Sequence, residues 1–172
     1  MIARNIFQLI FKVLLYLLSY FLVTSHLHIY SAVCLTYTGV ILLLPISSNP
    51  VRTLLFAFLV GLGVDIFHSS LGIHTAACVL LGFFRANFLN WMVPAGGYEE
   101  YMTISVSSMG MRWYFPYMFG LLFLHHFLYF LIDFASLALF PMALLSAVTS
   151  AGFTFAFLLL MQYGIEPPSR GD

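Results

Sequence analysis

Apolar stretches of about twenty residues follow one another along almost the whole chain, separated by short polar or proline-containing turns. A helix that crosses the hydrocarbon core of a bilayer needs about 20 mostly apolar residues, so these stretches have the length and composition of membrane spans. Charged residues make up 7% of the chain, whereas soluble domains carry about 25%. The chain therefore cannot cover a water-facing surface, and we interpret it as an integral membrane protein.

The turns divide the sequence into six predicted helices in a single transmembrane domain over residues 1–172, an all-α fold. The predicted ranges are 5–23, 32–46, 51–67, 71–93, 115–136 and 139–162. Pro45 and Pro50 enclose the turn after the second helix, because proline lacks an N–H and restricts the residue before it. The third range is short for a span, so a broken or re-entrant segment is the alternative there.

The two ends of the chain and its one long connection carry further expectations. Arg4 before an apolar run resembles a signal peptide, but Lys12 interrupts the run and no cleavage site precedes Tyr30, so we expect a retained helix. The connection over residues 94–114 is expected at the membrane surface, with Trp113 and Tyr114 in an aromatic belt. Residues 166–172 are expected to form a disordered tail.

The distribution of basic residues predicts the orientation. With the N-terminus inside, every Lys and Arg falls at or near the cytoplasmic face, and the connections around His26, Ser69 and Leu137 contain none. The basic residues are Arg4, Lys12, Arg52, Arg85, Arg112 and Arg170. The positive-inside rule therefore predicts that both termini are cytoplasmic and that Asp65 and Asp133 lie near the outer ends of their helices.

Several functional classes find no support. The formal net charge is zero, which gives no case for a nucleic-acid partner. Cys34 and Cys78 lie inside apolar segments and are interpreted as core residues. The sequence has no His-Glu-x-x-His, Gly-x-Ser-x-Gly or Walker motif. The run Gly61-Leu-Gly63-Val-Asp65 differs from the Gly-x-Gly-Asp of intramembrane aspartyl proteases by the inserted Val64, and no Tyr-Asp partner occurs. We predict no catalytic residue and no cofactor.

Asp65 is the polar residue that most needs an explanation. A charged side chain costs about 2.5–3.5 kcal/mol at the centre of a membrane helix and less near its end. Solvent at the membrane face, a partner within the protein or another subunit would each make it tolerable.

Outer-side histidines and acids raise the question of a metal site. Imidazole nitrogens and carboxylates are zinc ligands, but no spacing here matches a known motif, and we favour scattered interfacial residues. The residues concerned are His26, His28, His68, His74, Asp65 and Asp133. No metal site is predicted.

Two helices carry polar residues at regular spacing. On the fourth, His74, Cys78, Gly82 and Ala86 recur every four residues, a pattern that permits close helix packing, most simply within this chain. Arg85 lies beside this stripe and is expected to extend towards the cytoplasmic face. On the fifth, His126 and Asp133 are seven residues apart on one face. They suit a proton relay or structural hydrogen bonds, and we favour structure.

These features together resemble the bacterial rod shape-determining protein MreD family over nearly the whole chain. The likeness lies in the six-helix plan with both termini inside and in two motifs. The motifs are Gly61-Leu-Gly63-Val-Asp65 followed by Leu71-Gly72 and a small-residue helix, and Met109-Gly-Met-Arg112-Trp113 leading into a helix with His125, His126 and Asp133.

The resemblance implies a non-enzymatic scaffold of the bacterial inner (cytoplasmic) membrane that supports lateral peptidoglycan synthesis and cell shape. It implies partners: an MreC-like protein, a RodA-like glycosyltransferase, a penicillin-binding protein and, indirectly, an MreB-like filament. It also implies a fold similar to the substrate-binding (S) subunits of energy-coupling-factor vitamin transporters. The physical role expected of such a scaffold is to dock a partner's single helix against the bundle.

The transporter subunit itself is the alternative function. Such subunits commonly carry an Ala-x-x-x-Ala stripe on the first helix, whereas this helix is bulky on all sides, which argues against transport. A polar outer pocket of Asp65, His68 and Asp133 would argue for it. We expect Gly61, Gly63, Asp65 and Gly72 to form the packing and turn signature. Arg85, His126 and Asp133 are the next candidates.

Overall fold

The computed structural model describes residues 2–29, 31–99 and 102–165, which are helical apart from two very short strands and the connecting turns. The strands pair antiparallel, with His28 opposite Val33 and Ile29 opposite Ala32. In chain order the elements are α1 (Ile2–Leu22), β1 (His28–Ile29), β2 (Ala32–Val33), α2 (Thr38–Leu42), α3 (Pro50–His68), α4 (Ile73–Trp91), α5 (Val106–Met109), α6 (Met111–Phe134) and α7 (Phe140–Ile165).

Among the described residues, three helices are long and apolar enough to cross a membrane: α3, α6 and the stretch Leu137–Gly164 that contains most of α7. A shorter apolar helix covers Ile10–His26 and includes much of α1. The prediction of a helical protein with apolar helices long enough to cross a membrane is confirmed. The predicted ranges 5–23, 51–67, 71–93, 115–136 and 139–162 correspond to α1, α3, α4, α6 and α7.

The long helices pack in the order α3, α4, α6, α7, each against the next. Small residues bring their backbones close together: a Cβ on Gly82 of α4 would lie 3.1 Å from Cβ of Ala57 on α3. A Cβ on Gly120 of α6 would lie 3.0 Å from the ring of Phe88 on α4. This is the packing that holds helices together where lipid removes the hydrophobic driving force. The small-residue stripe of α4 therefore packs within the chain, as expected.

The helix α3, for which a broken or re-entrant segment was the alternative, is continuous. Pro50 occupies its first position, and the side-chain oxygen of Asn49 accepts hydrogen bonds from the backbone N–H groups of Val51 (2.9 Å) and Arg52 (3.3 Å). This cap satisfies two of the donors that a helix start leaves free. Its 19 residues extend about 28 Å at 1.5 Å per residue, close to the ~30 Å of a hydrocarbon core.

The predicted second helix over residues 32–46 is wrong. That range contains strand β2 and then only the five-residue helix α2, which is about 7.5 Å long and too short to span. Residues 34–42 are nevertheless all buried. We call residues 33–46 the buried segment. Threonines at 36 and 38 and the glycine at 39 lower its helix propensity, since Thr38 bonds its hydroxyl to the Leu35 carbonyl (2.7 Å) and glycine is a poor helix former.

Other helices satisfy the backbone of the buried segment. Ser150 and Thr154 of α7 accept hydrogen bonds from the backbone N–H groups of Val33 (3.0 Å) and Leu35 (3.1 Å). Non-helical backbone is tolerated at membrane depth only where protein or trapped water supplies such partners. The apolar composition of this range indicated burial correctly, but not the source of its hydrogen bonds.

The far part of the buried segment is bonded in the same way. The Tyr117 hydroxyl of α6 donates to the Leu42 carbonyl (2.9 Å), and Arg85 of α4 donates to the Leu44 carbonyl (2.6 Å). Gly39 lies between α1 and α7, where a Cβ would approach Leu158 to 2.8 Å. The segment is therefore enclosed by helices on several sides.

The buried segment runs the length of the bundle. Residues 33–35 line a cavity with His68 at the C-terminal end of α3. Ile46 lines a second cavity with Pro50 at the N-terminal end of α3 and Asn90 near the end of α4. We name these two ends of the bundle the Asp65 end and the Arg85 end. After α1 and before α3 in the sequence, the chain thus passes from one end of the bundle to the other without forming a long helix.

The aromatic belt was expected in the connection over residues 94–114, but Trp113 and Tyr114 both lie in the first turn of α6. The half-buried Trp113 donates from Nε1 to the Met92 carbonyl (2.6 Å). Tyr114 is buried, so its assignment to a surface belt is wrong. The short helix α5 also lies in this connection. The expected tail over residues 166–172 lies outside the described residues, as do Glu100 and Tyr101.

Candidate functional site

The carboxylate of Asp65 caps the helix that follows its own. It accepts hydrogen bonds from the backbone N–H groups of His74 (3.1 Å) and Thr75 (2.8 Å), the second and third residues of α4. The hydroxyls of Ser70 and Thr75 also donate to it. Asp65 is 4% exposed. Of the three explanations for its burial, the structure shows the partner within the protein: an anion at a helix N-terminus meets free N–H groups and a favourable dipole.

The structure explains why glycine is needed at two of the three signature positions, Gly61 and Gly72, but not at Gly63. A Cβ on Gly61 would lie 2.5 Å from Cα of Thr75, so only glycine lets the first turn of α4 approach α3 this closely. Gly72 precedes α4 with φ +89°, a conformation that favours glycine. Gly63 has nothing within 4 Å of where a Cβ would be. The signature thus builds the α3–α4 turn through Gly61, Asp65 and Gly72, while Gly63 faces open space.

A histidine–tyrosine network lies beside this turn, deep in the bundle. The Tyr37 hydroxyl of the buried segment lies 2.8 Å from Nδ1 of His74 and 3.2 Å from Nε2 of His125. Nδ1 of His125 is buried without a partner. A free lone pair there costs less than a free N–H. We therefore assign the proton of His125 to Nε2, which donates to Tyr37, and the Tyr37 proton to His74.

His126 has a fixed structural role. The N–H of Leu35 donates to the Thr154 hydroxyl. The Thr154 hydroxyl has two possible acceptors for its own proton, Nε2 of His126 at 3.1 Å and the Val33 carbonyl at 3.5 Å. We assign the proton to the nearer acceptor, His126. Nδ1 of His126 completes the chain by donating to the Leu122 carbonyl (2.8 Å). Both ring nitrogens are therefore used and the ring is neutral. This supports structural hydrogen bonding over a proton relay.

Asp133 lies apart from His126. It is exposed on the last turn of α6 and lines a cavity of about 250 Å³ at the Asp65 end. His68, His74 and Tyr129 also line this cavity, and Nε2 of His68 is hydrogen bonded to the Tyr20 hydroxyl of α1 (2.8 Å). Among the described residues, no group of three or more His, Cys, Asp or Glu side chains is arranged to hold a metal ion.

Arg85 does not extend to the membrane face. It is 2% exposed, and its Nη2 donates to the carbonyls of Leu44 (2.6 Å) and Pro45 (3.1 Å). A second cavity of about 230 Å³ lies beside it at the Arg85 end. Tyr98, in the connection after α4, also lines this cavity and donates to the Leu89 carbonyl (2.7 Å). Burial raises the pKa of Tyr98, which is already far above neutral pH in a free tyrosine, and its hydroxyl is a donor.

The sequence contained an unused signal for the residues that bind the buried segment. Ser146, Ser150 and Thr154 recur every four residues on α7, and all three are buried. Ser150 and Thr154 bond the buried segment, whereas the Ser146 hydroxyl has no partner. A second stripe of Ala143, Ala147 and Ala151 runs beside them and is also buried. Hydroxyl residues at this spacing in an apolar helix indicate a face that bonds to another segment. Tyr20 and Tyr37 had no comparable signal.

Cys34 and Cys78 are buried free thiols, as their apolar surroundings predicted. Comparison with protein-family models, with characterised proteins and with solved structures finds no match.

Proposed function

We propose that this protein is a non-enzymatic membrane scaffold of the MreD type, which supports lateral peptidoglycan synthesis in a bacterial inner membrane. The observation that carries the proposal is the use made of its buried polar groups. Asp65 caps a helix, His126 links α6 to α7, and Tyr37 links the buried segment to two histidines. Side chains of types that carry chemistry in enzymes instead hold one arrangement of helices, which suits a docking platform.

We further propose six crossings with both termini cytoplasmic. The second crossing is the buried segment, and α1, α3, α4, α6 and α7 supply the other five. Arg52 and Arg112 begin α3 and α6 at the Arg85 end, whereas the connections at the Asp65 end contain no Lys or Arg. The positive-inside rule supports placing the Arg85 end in the cytoplasm.

In this proposal the partners are an MreC-like protein, a RodA-like glycosyltransferase and a penicillin-binding protein, with an MreB-like filament associated indirectly. A rigid bundle with apolar outer faces suits the docking of a single partner helix, because packing and interhelical hydrogen bonds drive such association in lipid. On α1, bulky side chains including Phe11, Leu14 and Leu18 are more than half exposed.

A second candidate is the substrate-binding subunit of an energy-coupling-factor vitamin transporter. The cavity at the Asp65 end favours it, because polar side chains and non-helical backbone of the buried segment line this cavity together, as in transporter sites built on discontinuous helices. Two observations weigh against it. The cavity, at about 250 Å³, is smaller than the roughly 300–1,000 Å³ typical of ligand pockets. The α1 surface also lacks a small-residue stripe.

The test is affinity purification of the tagged protein from native membranes in mild detergent, with mass spectrometry of co-purifying proteins and small molecules. Recovery of an MreC-like protein, a RodA-like protein or a penicillin-binding protein, without a bound vitamin, supports the scaffold. Recovery of a coupling subunit with paired ATPases, or of a stoichiometric vitamin, rejects it in favour of transport. Asp133→Ala serves as a probe: vitamin retention should fall in this variant if the cavity is a binding site, whereas scaffold partners should be retained.

A further inference from the structure

The guanidinium of Arg85 is a buried cation with incomplete hydrogen bonding. Its Nη2 donates to two backbone carbonyls of the buried segment, but Nε is buried and has no partner. A buried donor without a partner costs about 1–3 kcal/mol, and more when it is charged. The residue therefore retains unused capacity to bind an acceptor.

No carboxylate among the described residues pairs with Arg85. Asp65 caps α4 and Asp133 is exposed, both at the opposite end of the bundle, and Glu99 is exposed in the connection after α4. Carbonyl groups supply dipoles but no negative charge. A buried charge is normally paired, because removal of one partner of a buried pair leaves a strongly destabilising charge behind. The described residues therefore supply Arg85 with hydrogen-bond acceptors but with no negative charge.

A cavity with several polar side chains in its wall lies next to Arg85. It measures about 230 Å³, and Ser48, Thr53 and Asn90 contribute polar side chains to its lining. The hydroxyl of Thr53 is a second buried group without a partner. Two unpartnered donors on facing helices, α3 and α4, thus border the same cavity.

We propose that this cavity binds a phosphate group, with Arg85 supplying the positive charge and Thr53, Ser48 and Asn90 the neutral donors. The planar guanidinium matches the spacing of phosphate oxygens, and charge-assisted hydrogen bonds of this kind are the strong ones. A phosphate has enough oxygens to meet donors from both helices once their side chains turn towards it. This inference is independent of the scaffold role.

Phosphate reaches such a cavity from a lipid headgroup or from solution. The position favours lipid: Arg52 follows Pro50 of the cavity wall by two residues on α3, and Trp113 packs on Tyr98 of the same wall. Basic pockets between membrane helices on the cytoplasmic side are recognised sites for anionic headgroups. A soluble phosphate would require no acyl chain and would bind in detergent alone.

The experiment compares four forms of the full-length protein: wild type, Arg85→Gln, Ala86→Leu and Arg112→Gln. Ala86→Leu fills the cavity from its wall and leaves Arg85 in place, which keeps the test valid if loss of Arg85 prevents folding. Arg112 is exposed at the same end, so its variant controls for loss of one positive charge. Each protein is released from nanodiscs of dioleoylphosphatidylcholine containing dioleoylphosphatidylglycerol, and retained lipid is measured by native mass spectrometry.

We expect wild type and Arg112→Gln to retain dioleoylphosphatidylglycerol about tenfold more than Arg85→Gln and Ala86→Leu. In a second arm, inorganic phosphate is added to delipidated protein in detergent and thermal unfolding is recorded. Soluble phosphate is the source if it raises Tm in wild type and Arg112→Gln but not in Arg85→Gln or Ala86→Leu, and if no form retains lipid selectively. Equal lipid retention in all four forms, together with no phosphate-dependent change in Tm, overturns the proposal.

Discussion

Removal of the Asp65 carboxylate should destabilise the protein much more than removal of the Asp133 carboxylate. In Asp65→Ala, the N–H groups of His74 and Thr75 at the start of α4 lose their acceptor, and the hydroxyls of Ser70 and Thr75 lose theirs. The hydroxyls can turn to other acceptors, but the two amides cannot. At about 1–3 kcal/mol for each unsatisfied buried donor, the loss is about 3 kcal/mol or more.

For a chain of this size, 1 kcal/mol shifts Tm by about 2–4 °C, so Asp65→Ala should lower Tm by about 6–12 °C. The two buried cysteines provide the assay, since Cys34 and Cys78 become accessible to a thiol-reactive fluorogenic maleimide only when the bundle opens. Asp133→Ala is the matched control. It removes an exposed carboxylate at the same end and should change the free energy of unfolding by no more than about 0.5 kcal/mol.

Asp65→Asn refines the test. An amide keeps one oxygen for one pair of donors but presents an N–H₂ group to the other pair. Its Tm should therefore lie between those of wild type and Asp65→Ala. If Asp65→Ala unfolds within about 1 °C of Asp133→Ala, a shift worth less than 0.5 kcal/mol, the capping argument is refuted.

Two further predictions use the same thiol assay. Gly61→Ala places a Cβ 2.5 Å from a backbone atom of α4 and should cost about 1–3 kcal/mol or more. The added Cβ of Gly63→Ala meets nothing within 4 Å, so this variant should be neutral or stabilising by up to about 1 kcal/mol. Equal shifts in Tm for the two variants would contradict the packing account. Thr154→Val should cost about 2–3 kcal/mol because it removes the hydroxyl between the buried segment and His126. Thr149→Val is the control, because the Thr149 hydroxyl bonds to carbonyls of its own helix, and it should change Tm little. Equal losses of Tm in the two variants would argue against the Thr154 link.

The long helices were predictable because each leaves a simple signal. Apolar length indicated α1, α3, α4, α6 and α7, and their boundaries follow Asn, Pro and Gly residues at the turns. Asp65 was singled out because an acid in an apolar helix needs a partner, and the structure shows that partner to be the start of α4. Which partner it has depends on how far α3 and α4 approach, and Gly61 sets that distance.

The buried segment could not be predicted by the same reasoning. Counting apolar residues assumes that a membrane segment satisfies its own backbone as a helix. Here the partners of Val33 and Leu35 are hydroxyls 117 and 119 residues further along the chain. Arg85 was misplaced for a related reason: its position near a helix end suggested a route to the surface, but the carbonyls at Leu44 and Pro45 hold it inside.

The dependence of the buried segment on later residues has a consequence for biosynthesis. Its hydrogen-bond partners at Arg85, Tyr117 and Ser150 follow it by 41 to 117 residues. At about 5–20 residues per second, translation delivers the last of them on the order of ten seconds after the segment itself.

Until then the segment has no means of keeping its final, largely non-helical backbone in lipid, and we expect it to wait at the insertion machinery or to enter as a temporary helix. Chains truncated after α4 should accordingly leave Cys34 accessible to a membrane-permeant maleimide, whereas full-length chains protect it. Protection of Cys34 in the truncated chains would show that the buried segment packs without α7. The buried segment thus gains its full set of hydrogen bonds only when the last helix has been made.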